Sequence, residues 1–213
     1  MAVGSQYRGA CGSEGFDEFG GADVDDVLNL IPLLKHLPYV DPERIGMMGG
    51  SRGGMMTYLA LKQESLNGTH DIKAAVTVGG MADVTRTLWE KPGMMLVLPT
   101  LIGIGPNEAP EADRDRSAVF WPDLITAPLL ILHGEGDESV PVEQSQQLAE
   151  LLARAGKTVK LITYPGDDHG LSAHQAGYPE ALAWFQHYLG RAGEDHSFEA
   201  HKRAMREVSK TWP

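Results

Sequence analysis

Along this chain, short apolar runs alternate with longer stretches in which apolar residues recur every three or four positions. That alternation predicts a mostly parallel sheet with helices on both faces. The apolar runs predict strands at Ala2–Gln6, Arg44–Met48, Ala74–Val78, Leu129–His133 and Val159–Tyr164. Between the first two, Val24, Val27, Leu28, Ile31 and Leu34 recur at helical spacing, so a helix over Val24–Leu34 should turn that face to the sheet, with Asp23 as its N-cap. A second helix is expected through Met55–Leu61. A third should start at Pro141, carry Leu148, Leu151 and Leu152 inward, and stop at Gly156. A fourth should start near Pro179 with Leu182, Phe185 and Leu189 inward, and Ser197–Trp212 reads as an extra amphipathic helix.

One stretch breaks the rhythm. Met81–Thr126 separates two strands by more than a simple crossover needs, and includes a polar piece, Pro106–Arg116, that reads as a loop. Inserts of that length in compact domains are usually lids or binding loops, with a merely variable connection as the alternative. No internal repeat interrupts the pattern, so residues 1–213 read as a single domain with an insert at 81–126.

Charge removes several classes of function. Eighteen Lys and Arg against 29 Asp and Glu give a net charge of −11, which excludes a protein that meets nucleic-acid phosphates with a basic face. The basic residues are scattered, so no membrane-binding patch forms. The longest apolar stretch, Met94–Ile104, is short of the roughly 18–20 residues a spanning helix needs and carries Pro99, Thr100 and Gly103. Cys11 is the single cysteine, so no intrachain disulfide forms, and no Cys/His cluster suggests a metal. Neither metal nor cofactor is expected. The opening residues lack the pattern of a secretory leader, which leads to an expectation of a cytoplasmic protein.

Candidate chemistry begins at residues 44–54, Arg-Ile-Gly-Met-Met-Gly-Gly-Ser-Arg-Gly-Gly. Gly49-Gly50-Ser51-Arg52-Gly53 has the form G-x-S-x-G, between a predicted strand and a predicted helix. In that context the serine sits on a strained turn that lifts its hydroxyl above the sheet edge. The glycines at −2 and +2 are expected to let the turn close. The backbone N–H of Arg52, at the start of the helix, would point where an oxyanion forms.

A serine hydroxyl needs a base. Of the eight histidines, His169 lies in Tyr-Pro-Gly-Asp-Asp-His-Gly-Leu, a loop just after the last predicted strand, where such sheets place their chemistry. His174 is the reserve. His133 ends a strand and reads as structural. The carboxylate that orients the base should follow another strand, and Asp137 is the first aspartate after Leu129–His133, with Glu135 and Glu138 as competitors. Asp167 and Asp168 read as flanking a solvated loop. Ser51, Asp137 and His169 then occur in the chain order of α/β-hydrolases.

Taken together, these motifs resemble the catalytic domain of the prolyl oligopeptidase family of serine peptidases. The matching stretches are Tyr7-Arg8-Gly9 with Gly15 and Phe16, Asp41 to Gly46 leading into Gly49–Gly54, Ala127 to Gly134, Asp137 to Pro141, and Asp168-His169-Gly170. The resemblance implies an α/β-hydrolase fold that is N-terminally truncated, without the family's propeller and without the first strands that supply a His-Gly loop and a second oxyanion donor. It implies a Ser51–Asp137–His169 triad, and it sets Val140 in the apolar wall of a substrate pocket. The expected activity is cleavage of a peptide bond through an acyl-enzyme. A carboxylesterase for small esters and a truncated, weakly active or non-catalytic assembly fragment are the alternatives. The missing strand would leave open edges that favour a homo-oligomer.

Overall fold

The computed structural model describes residues 1–90, 109–173 and 177–190. Four strands form one parallel sheet in the order β1 (Ile45–Gly50), β2 (Ile72–Val78), β3 (Leu129–Gly134) and β4 (Val159–Tyr164). All six residues of β3 are buried, which its unbroken apolar run requires of a strand covered on both faces. Period-two alternation divides β3 between two cores. Leu129 and Ile131 pack with Tyr58, Leu61, Leu148 and Leu152 on one side, and Leu130 and Leu132 pack with Val76 and Ala181 on the other. Each such side chain stabilises the fold by roughly 2 kcal/mol.

The helices follow the sequence closely at some points and depart from it at others. Among the described residues they are α1 (Asp23–Leu28), α2 (Leu30–Lys35), α3 (Arg52–Asn67), α4 (Val84–Glu90), α5 (Ala109–Asp115), α6 (Val142–Arg154) and α7 (Gly177–Leu189). α3 extends well beyond the expected Met55–Leu61, and closes at Gly68 in the left-handed region, φ +68°. The single helix expected over Val24–Leu34 is two, broken at Asn29. Pro32 has no N–H to offer the carbonyl four residues earlier, at Leu28, so one ladder cannot run through. Asp23 is not the N-cap. Ala22 takes that place, and the buried Asp23 carboxylate instead accepts the N–H groups of Gly20 and Gly21.

Two further expectations fail. Ala2–Gln6 forms no strand. Among the described residues β1 has β2 as its only strand neighbour. Val3–Tyr7 and β1 line one cleft of about 170 Å³, and no ladder joins them. The segment Pro106–Arg116 is not simply a polar loop either, since α5 occupies Ala109–Asp115. Arg116 is buried, donating to the carbonyls of Phe19, Glu18 and Ala112. The rest of the insert's middle, Met94–Ile104, and the helix expected at Ser197–Trp212 lie outside the described residues. No helix among the described residues is long and apolar enough to cross a membrane.

The register aligns the carboxyl ends of the strands. Gly50 pairs with Val78, Val78 with Leu132, and Gly134 with Tyr164. The residues that follow each strand therefore meet along one edge: Ser51 after β1, Gly79 after β2, Asp137 after β3 and His169 after β4.

Candidate active site

Ser51 occupies the turn between β1 and α3 at φ +53°, ψ −122°, a region costly for any residue with a side chain. Its backbone is held at both ends: the Ser51 N–H donates to the Val78 carbonyl at 2.8 Å, and its carbonyl accepts from Gly54 at 2.9 Å and Met81 at 3.4 Å. The glycine requirement differs from the one the motif suggested. A Cβ on Gly49 would lie 2.0 Å from the Gly53 carbonyl oxygen, so that position must be bare. A Cβ on Gly53 would meet nothing within 4 Å, whereas one on Gly54 would lie 2.5 Å from the Gly80 Cα. The close approach of α3 to the β2 end is therefore made at Gly54.

Arg52 is the first residue of α3, so its backbone N–H has no intrahelical acceptor. Its side chain does separate work. The guanidinium donates to Asp17 at 2.6 Å and Asp23 at 2.7 Å, and lies 4.8 Å from the ring centres of both Tyr7 and Phe19. This ties the 7–23 segment to the nucleophile turn. Burial alone would push the Asp17 carboxyl up, but the Arg52 guanidinium and the Phe19 N–H outweigh it and hold it below the usual carboxylate range.

Asp137 is delivered by the turn after β3, with its side chain fully out of solvent. Oδ1 accepts the N–H groups of Ser139 at 2.8 Å and Val140 at 2.9 Å. Oδ2 lies 2.6 Å from Nδ1 of His169. The competitor Glu135 points elsewhere, accepting from the exposed Thr163 hydroxyl.

His169 rides on the loop after β4, and the two aspartates before it organise that loop. Asp167 is buried, not solvated, and its Oδ1 accepts from Asp168 and Ala173. Asp168 accepts from the Gly170 and Ser172 backbones and from the Ser172 hydroxyl; the Ser172 bonds hold its carboxyl below the usual range. Gly134 lets the loop pass, since a Cβ there would lie 2.3 Å from the Asp168 carbonyl. Gly79, at φ +52°, lies under the pair: a Cβ would be 3.0 Å from His169 Nδ1 and 3.1 Å from Asp137 Oδ2.

Ser51 and His169 line one cavity of about 340 Å³, walled by Met48, Val78, Leu171 and Tyr178. Val140 does not line it. It is 2% exposed and belongs to the buried cluster that includes Phe19, Met55 and Val84. His174 lies outside the described residues. Among the described residues no cluster of three or more His, Cys, Asp or Glu could hold a metal. The sequence reading missed Gly79 and the roles of Asp167 and Asp168. The Gly79-Gly80 pair directly after an apolar strand was the available signal.

The chain is similar to known proteins over most of its length. The chain is 33% identical over 192 residues to the uncharacterized peptidase YuxL of Bacillus subtilis (strain 168), covering 81% of this chain and 26% of YuxL. It is 32% identical over 163 residues to the uncharacterized peptidase YtmA of the same organism, covering 76% of this chain and 62% of YtmA. A Mycobacterium tuberculosis puromycin-hydrolyzing peptidase superposes with a TM-score of 0.73 at 28% identity, over 83% of this chain and 26% of that one. Pyrococcus horikoshii acylaminoacyl peptidase superposes at 0.70 and 27% identity, over 88% and 31%. The chain thus spans about a quarter of the length of YuxL and under two thirds of YtmA. With the prolyl oligopeptidase family model matching residues 4–192, the chain belongs to the prolyl oligopeptidase family.

Proposed function

We propose that this chain carries the catalytic centre of a serine peptidase that cleaves an amide bond through an acyl-enzyme. The observation that carries the reading is the 2.6 Å contact between His169 Nδ1 and the buried Asp137 carboxylate, beside a cavity that Ser51 and His169 both line. With Nδ1 committed to Asp137, Nε2 is the ring nitrogen available to Ser51. Nε2 takes the Oγ proton as Oγ bonds to the substrate carbonyl carbon, and the Arg52 N–H donates to the developing oxyanion. His169 then returns the proton to the leaving amine as the C–N bond breaks. Water repeats the sequence on the ester and releases the acid. The peptide preference rests on family membership and on relatives described as peptidases.

The test is labelling with a fluorophosphonate probe and turnover on a panel of peptide anilides and small esters. Ser51→Ala should lose the label and retain only the roughly 10³–10⁴-fold catalysis over water that a site without its nucleophile supplies. Wild-type turnover in purified Ser51→Ala refutes the mechanism, and turnover restricted to esters refutes the substrate class.

A further inference from the structure

A second histidine meets the same carboxylate. His133 is the fifth residue of β3, fully buried, and its Nε2 lies 3.1 Å from Asp137 Oδ2, the oxygen bonded to His169. The ring is fixed at both nitrogens. Nε2 lies 2.8 Å from the Val140 carbonyl oxygen and Nδ1 lies 2.7 Å from the Ser145 hydroxyl. A carbonyl only accepts, so Nε2 carries a proton, and in the neutral ring Nδ1 accepts from the Ser145 hydroxyl. The Nε2–H donates to Val140, and Asp137 Oδ2 lies 3.1 Å from the same nitrogen. Three N–H groups bond the carboxylate, Ser139 and Val140 at Oδ1 and His169 at Oδ2, while the Nε2 edge of the His133 ring packs against Oδ2.

We propose that His133 is a positioning residue for the proposed reaction: it holds Asp137 Oδ2 in line with His169 by packing the Nε2 edge of its ring against that oxygen and by tying the 137–140 turn to β3 and α6 through Val140 and Ser145. The inference rests on the Ser51–His169–Asp137 reading above. It assigns His133 no contact with substrate. Asp137, Val140 and Ser145 come from the two elements packed over the ring, the 137–140 turn and α6, and Asp137 alone among them is charged. A purely structural histidine would be satisfied by Val140 and Ser145 alone. The closeness of Oδ2 is what distinguishes the two roles.

The experiment compares His133→Gln with His133→Asn in the full chain. A glutamine amide reaches the position of Nε2 and restores a donor there. An asparagine amide reaches only the position of Nδ1 and keeps the Ser145 contact. Active sites are titrated with the fluorophosphonate probe, so that misfolded protein is not counted, and kcat and KM are measured per titrated site. Loss of the Nε2 donor that fixes the 137–140 turn predicts a kcat about tenfold lower in His133→Asn, with KM within about twofold, and a kcat in His133→Gln within about threefold of wild type. Equal kcat per site in the two variants overturns the proposal and leaves His133 structural. If Ser51→Ala keeps full turnover per mole of folded protein, the underlying mechanism fails instead, whatever His133 does. Should His133→Asn yield no titratable sites, Ser145→Ala takes its place: it frees the ring to tilt away from Oδ2, a lower kcat per site is expected, and an unchanged one overturns the proposal.

Discussion

Replacing Gly79 with alanine should cost turnover and stability for two separable reasons. The first is backbone. Gly79 sits at φ +52°, and an L-residue in that left-handed region costs about 1 kcal/mol. The second is contact. The new methyl would lie 3.0 Å from His169 Nδ1 and 3.1 Å from Asp137 Oδ2, the two atoms of the 2.6 Å bond. Ordinary separation is near 3.5 Å, so the pair must give by about 0.4 Å. The backbone cannot retreat, because the Gly79 N–H is bonded to the Leu132 carbonyl at 2.9 Å. A misplacement of about 1 Å costs on the order of a hundredfold, so this shift predicts a loss of about tenfold in kcat. Gly68→Ala is the control: Gly68 has φ +68° with nothing within 4 Å of its would-be Cβ, so it bears the backbone cost alone. Both variants should melt about 2–4 °C lower, and only Gly79→Ala should lose kcat per titrated site. Equal turnover in the two would refute the contact argument, and an unshifted melting point in both would refute the backbone argument.

Three other outcomes are expected. Asp137→Asn should keep substrate affinity but lower kcat by about 10³–10⁴-fold, because an amide at Oδ2 misorients the His169 ring; steady-state kinetics check it, and a larger loss in Asp168→Asn would reassign the acid. Arg52→Met should lower unfolding free energy by about 3 kcal/mol, measured in urea, because it strands the Asp23 carboxylate, whose side chain is fully buried. Adding Asp23→Asn should recover part of that loss, and strictly additive losses would show that the two do not interact. The Arg8 guanidinium holds the Asp26 carboxyl below the usual carboxylate range. A depressed folded value contributes its stability above the unfolded value of about 3.9 and loses it as pH falls through the folded value. The melting-temperature gap between wild type and Asp26→Asn should therefore be full at pH 7 and close as pH falls below the usual carboxylate range; a gap unchanged at low pH refutes the pairing.

The central strands were legible because their burial is two-sided. Leu129–Leu132 could be nothing but a central strand, and the structure buries every residue of it. The juxtaposition of Ser51, Asp137 and His169 was legible from chain order, since each follows a strand and parallel strands bring such ends together. What the sequence hid was set by neighbours distant along the chain. Ala2–Gln6 has the composition of a strand but no strand beside it, and pairing is a property of two segments. Asp167 looked solvated because acidic residues in a glycine-containing turn usually are; its burial depends on backbone N–H groups up to six residues ahead. The bare positions at Gly54 and Gly79 come from the approach of β2 to α3 and to the His169 loop, and the G-x-S-x-G spacing is silent on both.

The outer edge of β1 bears on how long Ser51 keeps its geometry. The strand that presents the serine is laddered on one side only among the described residues, with Gly46, Met48 and Gly50 exposed. Amides along such an edge exchange with solvent through small local openings, not through global unfolding. Each opening of β1 also relaxes the strained turn at φ +53° that follows it. The fraction of time Ser51 is held in that turn is thus set by the cohesion of β1 with β2 and α3. A ligand that added a strand to that edge would raise that fraction without touching the serine.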